Sequence, residues 1–116
     1  MIVLYGMKSC DACRKARRFL ADSGQEHRFH DLRADGLTPA DLARWVTAVG
    51  WEKLLNRRGT TWRQLDPADK DGIDEAKAMR LMLAHPALVK RPVIEAGDRV
   101  VVGVVEPGQE AFSTAV

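Results

Sequence analysis

Two cysteines, Cys10 and Cys13, stand two residues apart in GMKSCDACRKARRFL, residues 6–20. A C-x-x-C pair serves one of three chemistries: it clips a metal, closes a disulfide, or supplies a thiol that reacts. Zinc takes four ligands, and finger-type sites combine such a pair with a properly spaced histidine pair. Here His27 and His30 have the wrong spacing and flank a predicted strand, so no metal centre is expected. A reactive thiol and a pair of inert core cysteines remain. Lys8, Asp11 and Arg14 give the pair a charged neighbourhood with little apolar cover, which favours reactivity.

The elements around the pair decide what it can do. IVLY (2–5) is a short apolar run closed by Gly6 and reads as a buried strand. Residues 11–23 place Ala12, Ala16, Phe19 and Leu20 on one face and Arg14, Lys15, Arg17 and Arg18 elsewhere, an amphipathic helix ended by Ser23-Gly24. HRFHDL (27–32) is a weaker strand anchored by Phe29. Over 38–50, Thr38 suits an N-cap, Pro39 the first turn, and Leu42, Trp45, Val46 and Val49 one face, with Gly50 as the stop. A short helix at 51–56, a basic loop with a turn at 56–65 and a polar linker at 66–72 follow. A second long helix over 73–84 turns Ile73, Ala76, Met79, Met82 and Leu83 inward. RPVIEAGDRVVVGVV (91–105) is a hairpin around Gly97-Asp98, and 106–116 a last short helix.

The order β-α-β, helices, β-β-α implies an α/β, thioredoxin-like fold: a four-stranded mixed sheet with a helical insert between the βαβ and ββα halves. The whole chain is then one domain, with residues 1–33 and about 87–116 forming the core and about 37–86 the insert. That plan puts Cys10 where strand 1 hands over to helix 1. Unpaired N–H groups, the helix dipole, Lys8, Arg14 and Lys15 all favour a thiolate there, so a pKa below the ~8.5 of a free cysteine is expected. Cys13, one turn along, either resolves a mixed disulfide or fills a helix face.

Two further groups could serve the site. In KRP (90–92), Pro92 opens the third strand with an expected cis bond, and Arg91 either points towards Cys10 or lies solvated at the strand edge. In NRRGTTWR, Arg57, Arg58 and Arg63 surround Trp62. The loop either binds an acidic ligand such as glutathione or is a solvated surface with Trp62 packed inward.

Composition narrows the classes. With 46% hydrophobic and 29% charged residues over 116 positions, the chain can bury an ordinary core without staples. A net charge of +2 does not call for direct nucleic-acid binding. No run approaches the ~20 apolar residues of a membrane span, and IVLY is too short for a signal peptide. A cytoplasmic location is expected, where a structural disulfide is disfavoured.

LYGMKSCDACRKARRFL, HDLRADGLT, GWEKLLNRRGTTWRQL, MLAHPALVKRPVI and VVVGV together resemble the arsenate reductase ArsC family, and within it the Spx / YffB-like branch. The resemblance runs along nearly the whole chain. It implies a catalytic cysteine at Cys10 and an arginine at Arg91 before a cis-proline at Pro92; substrate contacts are expected from Lys8, Ser9, Arg57, Arg58 and Pro92. In arsenate reductases of this family the cysteine attacks arsenate, arginines hold the oxyanion, and glutathione with glutaredoxin completes the reduction. Two family arginines are replaced here, one meeting Asn56 and one falling near Gly103-Val104, which weakens the case for arsenate. The resemblance therefore implies a glutathione-dependent thiol-disulfide reductase, with no tightly bound cofactor and with glutathione, glutaredoxin or thioredoxin as redox partner. The alternative it implies is a redox-sensing regulator of the Spx kind, which binds RNA polymerase and carries a C-x-x-C switch at Cys10 and Cys13.

Overall fold

The first apolar run forms β1 (Ile2–Gly6) in the computed structural model, which describes residues 2–103. Ile2, Leu4, Tyr5 and Gly6 are all buried, which is why this strand is apolar throughout rather than alternating. It pairs in parallel with β2 (His27–Asp31) and antiparallel with β3 (Val93–Ala96), and Leu4 stands between Phe29 and Ile94. β4 (Arg99–Val102) completes the mixed sheet in the order β2-β1-β3-β4. Gly97, at φ 62, and Asp98 make the tight hairpin turn between β3 and β4.

The parallel β1–β2 pair needs a crossover, and α1 (Asp11–Asp22) supplies it. Its inner face is Cys13, Ala16 and Leu20, packed with Ile2, Leu4, Ile94 and Ala96. The charged neighbourhood expected for both cysteines is therefore wrong for Cys13. The helix turns it inward with Ala16 and Leu20 at i+3 and i+7, and it is 0% exposed.

The chain divides into two compact units, one holding the segments up to Asp35 and from Arg91 onwards, the other spanning Gly36–Lys90. The second unit begins with α2 (Pro39–Val49), whose N-cap Thr38 accepts the Asp41 N–H at 3.1 Å and whose buried face is Leu42, Trp45 and Val46. Short helices α3 (Trp51–Leu54), α4 (Thr60–Arg63) and α5 (Pro67–Lys70) follow, then α6 (Glu75–Ala84) and a 3-10 turn, Pro86–Leu88. Backbone bonds Asn56 N–H to Leu88 O and Lys90 N–H to Leu54 O, both 2.7 Å, tie the end of the unit to the segment after α3.

Two expectations change here. The polar linker contains α5, because Asp66 and Pro67 are a helix start even where no apolar face follows. In α6 the buried residues are Ala78, Leu81 and Met82, while Ala76 is exposed. Asp74 caps that helix by accepting the Lys77 N–H, so Ile73 lies outside it and the inward stripe starts later. The short helix expected at 106–116 lies outside the described residues. Among those residues no helix is long and apolar enough to cross a membrane.

Candidate active site

Cys10 is the N-cap residue of α1 and is half-buried. Its backbone is extended, at φ -85 and ψ 123, and its side chain makes no capping hydrogen bond. The first N–H groups of α1 are thus left without a side-chain acceptor, beside a half-buried residue that packs on the edge of the cluster around Cys13. Between β1 and α1 the turn Met7–Cys10 closes through Cys10 N–H to Met7 O at 3.1 Å. Lys8 and Ser9 form its exposed crest. The Arg14 guanidinium pairs with Asp11 in the first helical turn, so part of the positive charge expected around Cys10 is already neutralised.

Cys13 packs over Gly6. A Cβ on Gly6 would overlap the Cys13 sulfur and come within 3.1 Å of Cys13 Cβ, so glycine is required by the close approach of helix and strand. Burial pushes the Cys13 thiol up to about 11, and the neighbouring Cys10 side chain adds to the rise. The Met7 N–H and the Arg91 charge pull the other way. At neutral pH Cys13 therefore keeps its proton.

A thiol held above its ordinary range stabilises the fold at lower pH, and that contribution disappears as pH rises towards about 11. Urea unfolding at about pH 8 and about pH 10.5 should show a loss for the native protein that Cys13→Ala lacks. An equal loss in both would assign it to other groups.

Arg91 is half-buried and its Nη1 donates to Met7 Sδ at 2.6 Å. The guanidinium is thus directed at the turn that carries Cys10, and its charge reaches Cys13. The Arg91–Pro92 bond is cis, and buried Pro92 accepts the Gly103 N–H at 2.9 Å. Met7, 4% exposed, meets Cys10 through its carbonyl, Cys13 through its N–H and Arg91 through its sulfur. It had no signal in the sequence beyond being an apolar residue beside a glycine.

Cys10, Cys13, Arg91, Pro92, Lys8 and Ser9 all belong to the sheet unit, whereas Arg57 and Arg58 belong to the helical one. There they line an open cleft of about 450 Å³ with Glu52, Leu55 and Lys90. Arg57 lies 5.3 Å from the Trp51 ring centre and 5.8 Å from that of Trp62. Half-buried Trp62 is therefore an arginine platform, intermediate between the two expectations for it. Asn56 Oδ1 accepts the Arg58 N–H at 3.0 Å and shapes the loop. Among the described residues no three histidine, cysteine or acidic groups cluster as a metal site would need.

The solved structure of "YFFB (PA3664) protein" is 47% identical, with a TM-score of 0.91, over 97% of this chain and 98% of that one. That of an arsenate reductase (ArsC) related protein from Brucella melitensis is 45% identical, with a TM-score of 0.76, over 96% and 92%. The global transcriptional regulator Spx of Streptococcus mutans is 28% identical over 97% of this chain and 82% of its own. The ArsC family model matches residues 5–112, with the cysteine turn, the cis-proline and the intervening helices all inside the match, and the chain belongs to the ArsC family.

Proposed function

We propose that the protein is a glutathione-dependent thiol-disulfide reductase in which Cys10 is the nucleophile. The observation that carries this reading is the division of labour between the two thiols. Cys10 is partly open at an uncapped helix N-terminus, while Cys13 is walled off and protonated beside it. In the first step the Cys10 thiolate attacks the glutathione sulfur of a mixed disulfide. A Cys10–glutathione disulfide forms and the substrate leaves as a thiol. A second glutathione then attacks that adduct, releasing oxidised glutathione and restoring Cys10; alternatively Cys13 closes on Cys10 and releases reduced glutathione. Arg91 steadies the anionic sulfur, and the turn residues Lys8 and Ser9, with Pro92, present backbone to the incoming disulfide. The cationic cleft of Arg57, Arg58 and Lys90 suits an anion such as a glutathione carboxylate. This chemistry belongs in a reducing cytoplasm.

Mass spectrometry after incubation with oxidised glutathione tests the reading. One glutathione on Cys10 is expected. Absence of any adduct on Cys10 and of any internal disulfide overturns it.

The likeness to Spx supports a second reading: a regulator in which the Cys10–Cys13 disulfide alters a face that binds RNA polymerase. Polymerase capture that changes between reduced and oxidised protein, without glutathione-linked turnover, selects it. Arsenate reduction with glutathione and glutaredoxin supplied is a third, weaker reading, and no turnover of arsenate excludes it.

A further inference from the structure

The β1–α1 turn has only one internal backbone bond, so something outside it must set its pose. Asp31, the last residue of β2 and 6% exposed, does this. Its Oδ2 accepts the Lys8 N–H at 3.1 Å, across 23 positions of chain. Its Oδ1 accepts the N–H groups of Arg33 at 2.8 Å and Ala34 at 2.9 Å. The main chain of Asp31 is held as well, donating to Asp35 Oδ2 at 3.0 Å and accepting the Asp35 N–H at 2.8 Å. Both carboxylate oxygens are thus committed, one to the turn after β2 and one to the turn that delivers Cys10.

We infer that Asp31 is a positioning residue for Cys10, acting through the Lys8 N–H. This rests on the reading of Cys10 as the reacting thiol, and it adds a residue to that site. A carboxylate is suited to the task because it has two acceptor oxygens and no donor. An amide at the same place turns an NH2 group towards one of the N–H groups it should receive. A charge-assisted bond to a main-chain N–H is also stronger than a neutral one, which suits a strut that must hold a turn. Without the strut, the crest Lys8–Ser9 and the Cys10 sulfur beyond it lose a defined angle to the N-terminus of α1.

The charge and the strut act on Cys10 with opposite signs, and this makes the idea testable. A negative charge near a thiolate slows its formation, so removing the charge alone speeds alkylation. Loss of the strut slows it. In folded Asp31→Asn, alkylation of Cys10 by iodoacetamide at neutral pH should fall about fivefold to tenfold, because a loosened turn spends less time in the reactive pose. Amide exchange at Lys8 should accelerate about tenfold or more while the β1 amides keep their protection. The inference requires the strut to outweigh the charge, so unchanged or faster alkylation overturns it. Should Asp31→Asn not fold, the native protein still decides: a Lys8 amide that exchanges as fast as that of exposed Ser9 overturns the strut. If oxidised glutathione leaves Cys10 untouched while the Lys8 amide stays protected, the functional reading fails and the strut stands.

Discussion

Cys10→Ser is expected to give a protein that folds more stably than the native one and does no thiol chemistry. Both effects come from the same position. Cys10 already has the extended backbone of an N-cap, yet its side chain makes no capping bond. Serine is among the best N-cap residues, and its oxygen can accept the free N–H groups of the first turn of α1. A gain of about 1 kcal/mol is expected from that cap. The native thiol leaves those donors unoccupied, and in the proposed mechanism the thiolate takes the place of the missing acceptor. A serine hydroxyl at neutral pH is not ionised and is a far weaker nucleophile, so glutathione-linked turnover should fall by about a thousandfold or more. The glutathione adduct should vanish from the mass spectrum with it. Cys13→Ser should behave differently. Turnover through a second glutathione persists, the internal disulfide cannot form, and stability drops because a hydroxyl enters an apolar cluster. A Cys10→Ser protein that retained turnover would remove Cys10 from the mechanism. One that lost stability would show that the thiol itself was holding α1.

How far the sequence leads can be judged residue by residue. β1, α1 and α2 follow from local signals: an apolar run before Gly6, a 3.6-residue stripe, and Thr38-Pro39 opening a helix that Gly50 closes. The parallel–antiparallel sheet follows from element order, since only a crossover helix can join parallel neighbours and a two-residue turn must give an antiparallel pair. The place of Cys10 at the start of α1 was legible because it depends on one local fact, a strand handing over to a helix. The burial of Cys13 was obscured by its charged sequence neighbours, which point away from the sheet while the sulfur points into it. The buried face of α6 was displaced because its true start depends on which acidic residue caps it, and Asp71 and Asp74 both lie close by. Asp31 and Met7 had no visible pattern at all. The Asp31–Lys8 and Met7–Arg91 bonds join segments far apart in the chain, and such pairings exist only once the sheet has formed. The bonds that the Asp31 carboxylate accepts also favour its ionised form. The Ala34 N–H above all, then those of Lys8 and Arg33, hold its carboxyl below the usual carboxylate range, while burial opposes them.

Gly6→Ala is expected to be strongly destabilising. Gly6 has no left-handed backbone angle, so conformational freedom is not the reason for glycine here. The reason is space: the added carbon overlaps the Cys13 sulfur and crowds Cys13 Cβ at 3.1 Å. Neither neighbour has room to yield. Cys13 is 0% exposed and wedged among Ile2, Leu4, Ala16 and Ile94, and Gly6 is fixed by its own pairing with β2 and by the Leu32 N–H bond to Gly6 O at 2.8 Å. Overpacking of this kind costs about 1–3 kcal/mol, and the upper end is expected where the obstacle is a sulfur in a closed core. Relief would require α1 to lift from the sheet, which also moves Cys10 at its first turn, so alkylation of Cys10 should slow in the same variant. The double variant Gly6→Ala with Cys13→Ala separates the two causes. Removing the sulfur removes most of the overlap, so the pair should be less destabilised than the sum of the single changes by about 1 kcal/mol or more. Urea unfolding of the four proteins measures that coupling. Strict additivity would mean that the helix and strand are farther apart than the structure places them. The buried thiol would then lose its contact with Gly6, and with it part of the burial that keeps Cys13 protonated beside Cys10.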